Sequence, residues 1–318
     1  MYTRHIHSEA KVIPLKSETE TVSPRPGLLK AGWMAARPKT LPAAAAPVIV
    51  GAGVAANLGA FRPGPAIAAL LGALFLQIAA NFANDYYDFQ KGVDTPDRLG
   101  PVRVTQAGLF KPSQTLAGMW LFFGLAGLTG IYLALVAGWP VIAAGLLAIA
   151  IAILYTGGPF PLGSYGLGEV FVFIFFGPVA VCGTVYVQAL RIPAVSIWAA
   201  VAMGLLADGI LSMNNLRDLE TDRATGKRTI AASYGLGVAR AVYAAELGLA
   251  LLLPLLMVIL GAASPWVLLS WAAGVPAAGL LRMAYTRRGA VLNQGLAGTG
   301  QMELMYGILL AVGLIISH

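Results

Sequence analysis

The sequence predicts an all-α, polytopic membrane protein with nine transmembrane helices packed around a central cavity. Three observations predict it. Of 318 residues, 58% are hydrophobic and only 11% charged, a balance far from that of soluble domains. Apolar runs close to the 20 residues needed to cross a hydrocarbon core recur along the whole chain. The basic residues between them gather at one end of the predicted helices.

Residues 1–27 carry Lys11, Lys16, Glu18, Glu20 and Arg25 and lack an apolar stretch long enough for a signal peptide, so they read as a disordered cytoplasmic tail. Residues 28–318 read as a single transmembrane domain without a long linker. Helices are expected near 38–57, 65–91, 114–136, 139–156, 167–189, 194–219, 237–260, 265–284 and 296–316. Gly138-Trp139-Pro140 splits the third from the fourth as a hairpin turn, because proline cannot continue the preceding helix. This plan places 19 of the 21 Lys and Arg residues on one side and only Arg62 and Arg191 on the other. The basic side is expected to be cytoplasmic, with the N-terminus inside and His318 outside. Because the basic residues sit in short interhelical loops, topology explains the net charge of +7, and nucleic-acid binding is not expected. A lone Cys182 and three terminal histidines, His5, His7 and His318, leave no disulfide framework and no histidine metal site.

Chemistry concentrates at two helix ends. The second helix finishes in Asn84-Asp85-Tyr86-Tyr87-Asp88, and at about 100° per residue Gln77, Asn81, Asn84, Asp85 and Asp88 form one stripe. Gly92 is a natural helix terminator that turns Asp94 back toward the same place. The sixth helix repeats the pattern with Asp208, Ser212, Asn215, Asp218 and Asp222, while Glu220 points away. A carboxylate near the bilayer centre costs about 2.5–3.5 kcal/mol on insertion scales, so such clustering implies a bound cation. Oxygen donors without His or Cys suit Mg²⁺, which joins a few carboxylates to substrate phosphates. The flanking Lys91, Arg98, Arg103, Arg217, Arg223, Lys227 and Arg228 suit a diphosphate held between metal and basic donors; Arg98 and Lys227 are the favoured ligands.

These residues resemble the intramembrane aromatic prenyltransferases of the UbiA superfamily. Asn84-Asp85-x-x-Asp88 and Asp218-x-x-x-Asp222 resemble its two aspartate motifs. Arg37 to Pro42, Asn84 to Gln106, Tyr155 to Pro159 leading to Gly168-Glu169, and Asn214 to Thr229 are similar to the branch whose acceptor is 1,4-dihydroxy-2-naphthoate. Gly92 stands where other branches often carry a third aspartate, with Asp94 two positions later. The resemblance implies a UbiA-type bundle and Mg²⁺-dependent transfer of a polyprenyl group from polyprenyl diphosphate to the naphthoate, with decarboxylation, in menaquinone biosynthesis at the inner membrane. It implies metal binding by Asn84, Asp85, Asp88, Asp218 and Asp222, catalysis by the four aspartates with Tyr155, and diphosphate binding by Lys39, Arg98, Arg217 and Lys227. Asn81, Asp94, Asp208, Asn214 and Asn215 are expected to contact substrate or support the site, and membrane lipid is expected around it.

Two buried acids, Asp208 and Glu303, lie inside apolar segments; Asp208 shares the motif face, and Glu303 is read as pairing with a neighbouring helix. The Gly163/Gly166/Gly168 loop and Gly226-Lys227-Arg228-Thr229 lack the spacing of nucleotide sites. The alternatives are a UbiA-type enzyme with another aromatic acceptor, or a cation-coupled secondary transporter, for which few basic residues in the cavity are expected.

Overall fold

The computed structural model describes residues 26–92 and 99–317, and among them the secondary structure is entirely helical. The predicted tail therefore lies almost wholly outside the described residues, as do Asp94 and Arg98. Eight helices are long and apolar enough to cross a membrane, and Pro140–Thr156 adds a shorter apolar one. The protein is an integral membrane protein with the nine-helix count that the sequence predicts.

The chain enters through α1 (Leu28–Ala36), turns at Arg37 in a left-handed conformation (φ 51°) and continues into α2 (Leu41–Asn57). Then come α3 (Pro63–Gln90), α4 (Pro112–Ala137), α5 (Pro140–Thr156), α6 (Gly168–Ile174) and α7 (Gly183–Ala189). The second half consists of α8 (Ala194–Ala224), α9 (Ile230–Ile259), α10 (Gly274–Thr286) and α11 (Leu292–Ile316). Helix α3 ends at Gln90 and is followed by Gly92 at φ 64°, where glycine alone adopts that geometry without penalty. Gly138 (φ 87°) makes the turn between α4 and α5, as Gly138-Trp139-Pro140 predicts.

Three boundaries differ from expectation. Helix α8 runs five residues beyond 219, to Ala224, which brings Asp222 inside the helix. Helix α9 begins at Ile230 and bends at Gly235, a break that hides its first turn from a periodicity reading. The fifth span is α-helical only at its ends; Phe175–Cys182 between them is a π-helix containing Pro178, and such wide turns recur at functional sites.

In lipid, helices associate through close packing more than through apolar burial, so small residues occupy the crossings. A Cβ on Gly177 would lie 2.5 Å from the Ala200 carbonyl oxygen, and one on Gly204 would lie 2.9 Å from that of Phe173. This pair seats the π-helix against α8. Gly53 and Ala311 bring α2 and α11 together in the same way. Two apolar cores result. One joins α2, α7, α8, α9 and α11, and the other joins α1, α3 and α4 around Phe82, Val104 and Met119.

Gly177→Val forces α8 and the π-helix apart. The expected loss is about 1–3 kcal/mol, read as a lowered thermal unfolding midpoint of the protein in lipid nanodiscs; an unchanged midpoint would show that the crossing has slack.

Candidate active site

Helices α3, α5 and α8 end together at one pole of the bundle. Lys91, following α3, donates from Nζ to the Thr156 carbonyl at the end of α5 (2.5 Å). Thr156 Oγ1 in turn donates to Asn84 Oδ1. From α8, Arg217 Nη1 donates to Asn293 Oδ1 of α11 (2.8 Å), and Asn293 Nδ2 donates to the Leu99 carbonyl (2.6 Å), which draws the segment after α3 across the motifs. Partial burial holds the Lys91 ammonium below the ordinary lysine range; Asp88 opposes that shift and Lys227 adds to it. Lys91 thus lies within the fields of both motifs.

The carboxylates face cations. Arg103 Nη2 donates to Asp88 Oδ2 at 2.5 Å, both groups being buried. Arg217, with 3% of its surface exposed, gives Asp218 two bonds, from Nε (2.8 Å) and Nη2 (2.5 Å), and adds one to Asn214 Oδ1 (2.7 Å). Asp222 stands 3.6 Å from Lys227 and accepts from Thr229 Oγ1 at 3.4 Å. Glu220 is exposed, as its helical angle predicts. Breaking a buried pair by removing one partner costs about 3–5 kcal/mol, so these cations hold the carboxylates in the apolar bundle.

Several expected site residues occupy other positions. Asp85, only 2% exposed, accepts from the backbone N–H groups of Val104 (2.9 Å) and Thr105 (3.2 Å); both oxygens are spent on folding the loop over the site. Asn81 donates to the Ala36 carbonyl (2.9 Å) and to Thr40 Oγ1 (3.1 Å), tying α3 to the α1–α2 bend. Lys39 is exposed and bonds to no acidic residue among those described. Asn215 donates to Glu169 Oε1 (3.0 Å). Glu303 is fully enclosed, yet neither oxygen is hydrogen-bonded among the described residues, so the helix pairing expected of it is not formed. Arg103, read from sequence only as one flanking cation, is the direct partner of Asp88. Its signal was the stretch from Asn84 to Gln106, which placed it near the motif without naming its carboxylate.

Tyr155 closes the inner side. It lies within electrostatic range of Glu169, Asp208, Asp222 and Asp88, hence of both motifs. A Cβ on Gly163 would come within 2.9 Å of its ring, and one on Gly168 within 3.0 Å of its hydroxyl, so the glycines of this loop make room for the phenol. From Tyr155, Asn84 and Gln77 an apolar cavity of about 700 Å³ runs between α3, α4, α5, the π-helix and α7. Ala69, Leu133, Val141, Tyr186 and Val187 line its far end, near the pole where Arg62 Nη2 donates to the Val187 carbonyl (2.7 Å).

Among the described residues no three acidic, His or Cys side chains converge closely enough to hold a metal ion alone. Carboxylates divided between two helices, with only oxygen and amide donors near them, fit Mg²⁺, which binds one or two carboxylates together with substrate phosphates.

Nine apolar helices carrying two paired-aspartate motifs at the polar mouth of an apolar cavity define a helical membrane protein built to hold an anionic head and a long apolar tail. Residues 44–293 match the UbiA prenyltransferase family, and the chain belongs to that family. It is 41% identical over 285 residues to the 1,4-dihydroxy-2-naphthoate octaprenyltransferase of Mycobacterium tuberculosis, covering 88% of this chain and 96% of that one. It is 36% identical over 298 residues to the Haemophilus influenzae protein of the same name, covering 91% and 96%. In fold it is similar to a UbiA homolog from Aeropyrum pernix K1 (TM-score 0.66, 18% identity, 86% of this chain and 97% of that one). It is also similar to a UbiA homolog from Archaeoglobus fulgidus bound to GPP and Mg²⁺ (TM-score 0.65, 15% identity, 90% and 99%).

Asp85→Ala frees the two N–H groups that fold the loop. Amide hydrogen exchange across residues 99–110 is expected to accelerate by roughly tenfold or more, since bonds to a charged acceptor contribute about 1.5–3 kcal/mol each; unchanged protection would mean that the loop is held by other contacts.

Proposed function

We propose that this protein transfers a polyprenyl group from polyprenyl diphosphate to 1,4-dihydroxy-2-naphthoate, with loss of the carboxyl group as CO₂, in menaquinone biosynthesis. One observation carries the reading: buried aspartate pairs, each matched to a protein cation, stand at the polar mouth of an apolar cavity lined by Asn84 and Tyr155. An amphiphile with a polyanionic head and an isoprenoid tail fits that division. The curated relatives support the naphthoate acceptor, and the GPP- and Mg²⁺-bound homolog supports a diphosphate donor.

Asp88, Asp218 and Asp222, with Asn84 and Asn214 beside them, would hold Mg²⁺, which supplies charge neutralisation to the departing diphosphate when bound. Arg103, Arg217 and Lys227 exchange their carboxylate partners for diphosphate oxygens, so charge is preorganised in a low-dielectric site. Lys39, Asp94 and Arg98 keep the assignments that the resemblance implies. The allylic carbon–oxygen bond breaks with its electron pair leaving on the diphosphate. The ring carbon bearing the carboxylate bonds to the allylic carbon, and the carbon–carboxylate bond then breaks, returning its electron pair to the ring as CO₂ departs. Tyr155, at the junction of cavity and motifs, presents its phenol where the cation forms.

Basic-residue asymmetry supports a cytoplasmic position for the motif pole. A cation-coupled transporter is the weaker reading, because Arg103 and Arg217 already occupy the carboxylates that it would need for ions.

The purified protein with Mg²⁺, a polyprenyl diphosphate and a panel of aromatic acids is expected to give prenylated product from 1,4-dihydroxy-2-naphthoate. Chelation with EDTA and the variants Asp88→Asn and Asp218→Asn are expected to lower turnover by roughly 10³-fold or more. Product formed without divalent metal, or full activity in these variants, contradicts the proposal.

A further inference from the structure

Three carboxylates inward of the aspartate motifs have no part in the scheme above. Asp208, Ser212 and Asn215 share one face of α8. Asn215 binds Glu169 of α6, and Ser212 Oγ donates to Glu246 Oε1 of α9 at 2.9 Å. Both contacts are ordinary interhelical bonds. They leave Asp208 Oδ1 and Glu246 Oε2 enclosed and without a hydrogen-bond partner among the described residues, although each residue keeps only 7% of its surface exposed. The fields of Asp208 and Glu169 both reach Glu246, and Asp208 and Glu169 also face Tyr155, which lines the cavity. Helix packing alone does not require these spare acceptors, and an ionisable group inside a bundle marks function by default.

The two ends of this polar stripe differ in sign. Toward the pole, Arg103, Arg217 and Lys227 attract anions. Inward, Glu169, Asp208 and Glu246 repel them and satisfy only hydrogen-bond donors. An aromatic acid bearing a hydroxyl remote from its carboxylate is oriented by that polarity, with its carboxylated carbon toward the diphosphate.

Building on the proposed function, we infer that the unshared oxygens of Asp208 and Glu246 form a phenol-recognition subsite that accepts the 4-hydroxyl of the naphthoate. The subsite determines specificity, and it orients the ring for alkylation without itself exchanging a bond. Asp208 sits at its centre and Glu246 at its edge, where Ser212 fixes the carboxyl group.

The test compares, in nanodiscs with Mg²⁺ and a polyprenyl diphosphate, the KM for 1,4-dihydroxy-2-naphthoate with the inhibition constant of 1-hydroxy-2-naphthoate, which lacks only the 4-hydroxyl. The wild-type protein is expected to favour the dihydroxy acid. Asp208→Ala is expected to reduce that preference by roughly tenfold or more, with the KM for the diphosphate unchanged. Asp208→Asn, which keeps an acceptor oxygen, is expected to restore most of the preference; a merely structural role would shift both acids together and leave the ratio fixed. A ratio unchanged in Asp208→Ala, or a diphosphate KM that moves in step with that of the acceptor, overturns the subsite while the functional reading stands. A wild-type protein that forms no product from the naphthoate overturns the functional reading and this inference with it.

Discussion

The structure depends on the neutralisation of carboxylates inside a bundle that lipid surrounds. Asp88, Asp218 and Asp222 stand on helices whose other residues are overwhelmingly apolar, and each faces a basic side chain of this chain. Those pairs dictate much of the surrounding architecture. Arg103 reaches Asp88 only because Asp85 folds the loop through Val104 and Thr105. Arg217 is aligned by Asn214 and Asn293, and Asn293 in turn holds Leu99. The arrangement is metastable in a useful sense, because a substrate carrying its own negative charge and its own metal ions competes for both members of every pair at once.

The remaining geometry follows from where the apolar space is left. Glycines at the helix crossings bring α2 to α11 and the π-helix to α8, and the volume they do not fill becomes the cavity between the two cores. Tyr155 stands at the boundary between the charged pole and that cavity, admitted by Gly163 and Gly168. One end of the site therefore handles charge and the other handles length, and the chemistry of the family takes place where they meet.

Much of this was legible in the sequence. The nine spans followed from hydropathy, and the facing aspartate stripes followed from helical spacing. Gly92 marked the end of α3 because only a residue without a side chain adopts its backbone geometry easily. What stayed hidden depends on contacts between distant segments. Periodicity treats Asp85 and Asp88 alike, yet one serves the loop backbone and the other pairs with Arg103. Ser212 gave no hint of Glu246 on another helix, and the bend at Gly235 interrupted the pattern that would have revealed the start of α9.

The most direct measurement of the central claim is the affinity of a non-hydrolysable prenyl thiolodiphosphate for the nanodisc-embedded protein across a Mg²⁺ titration, in the wild type and in an Asp88→Asn/Asp222→Asn double variant. If paired carboxylates become a metal-bridged diphosphate site, binding rises with Mg²⁺ in the wild type and loses that dependence in the double variant. Tight binding that is indifferent to Mg²⁺, or an unaltered titration in the double variant, would contradict the account.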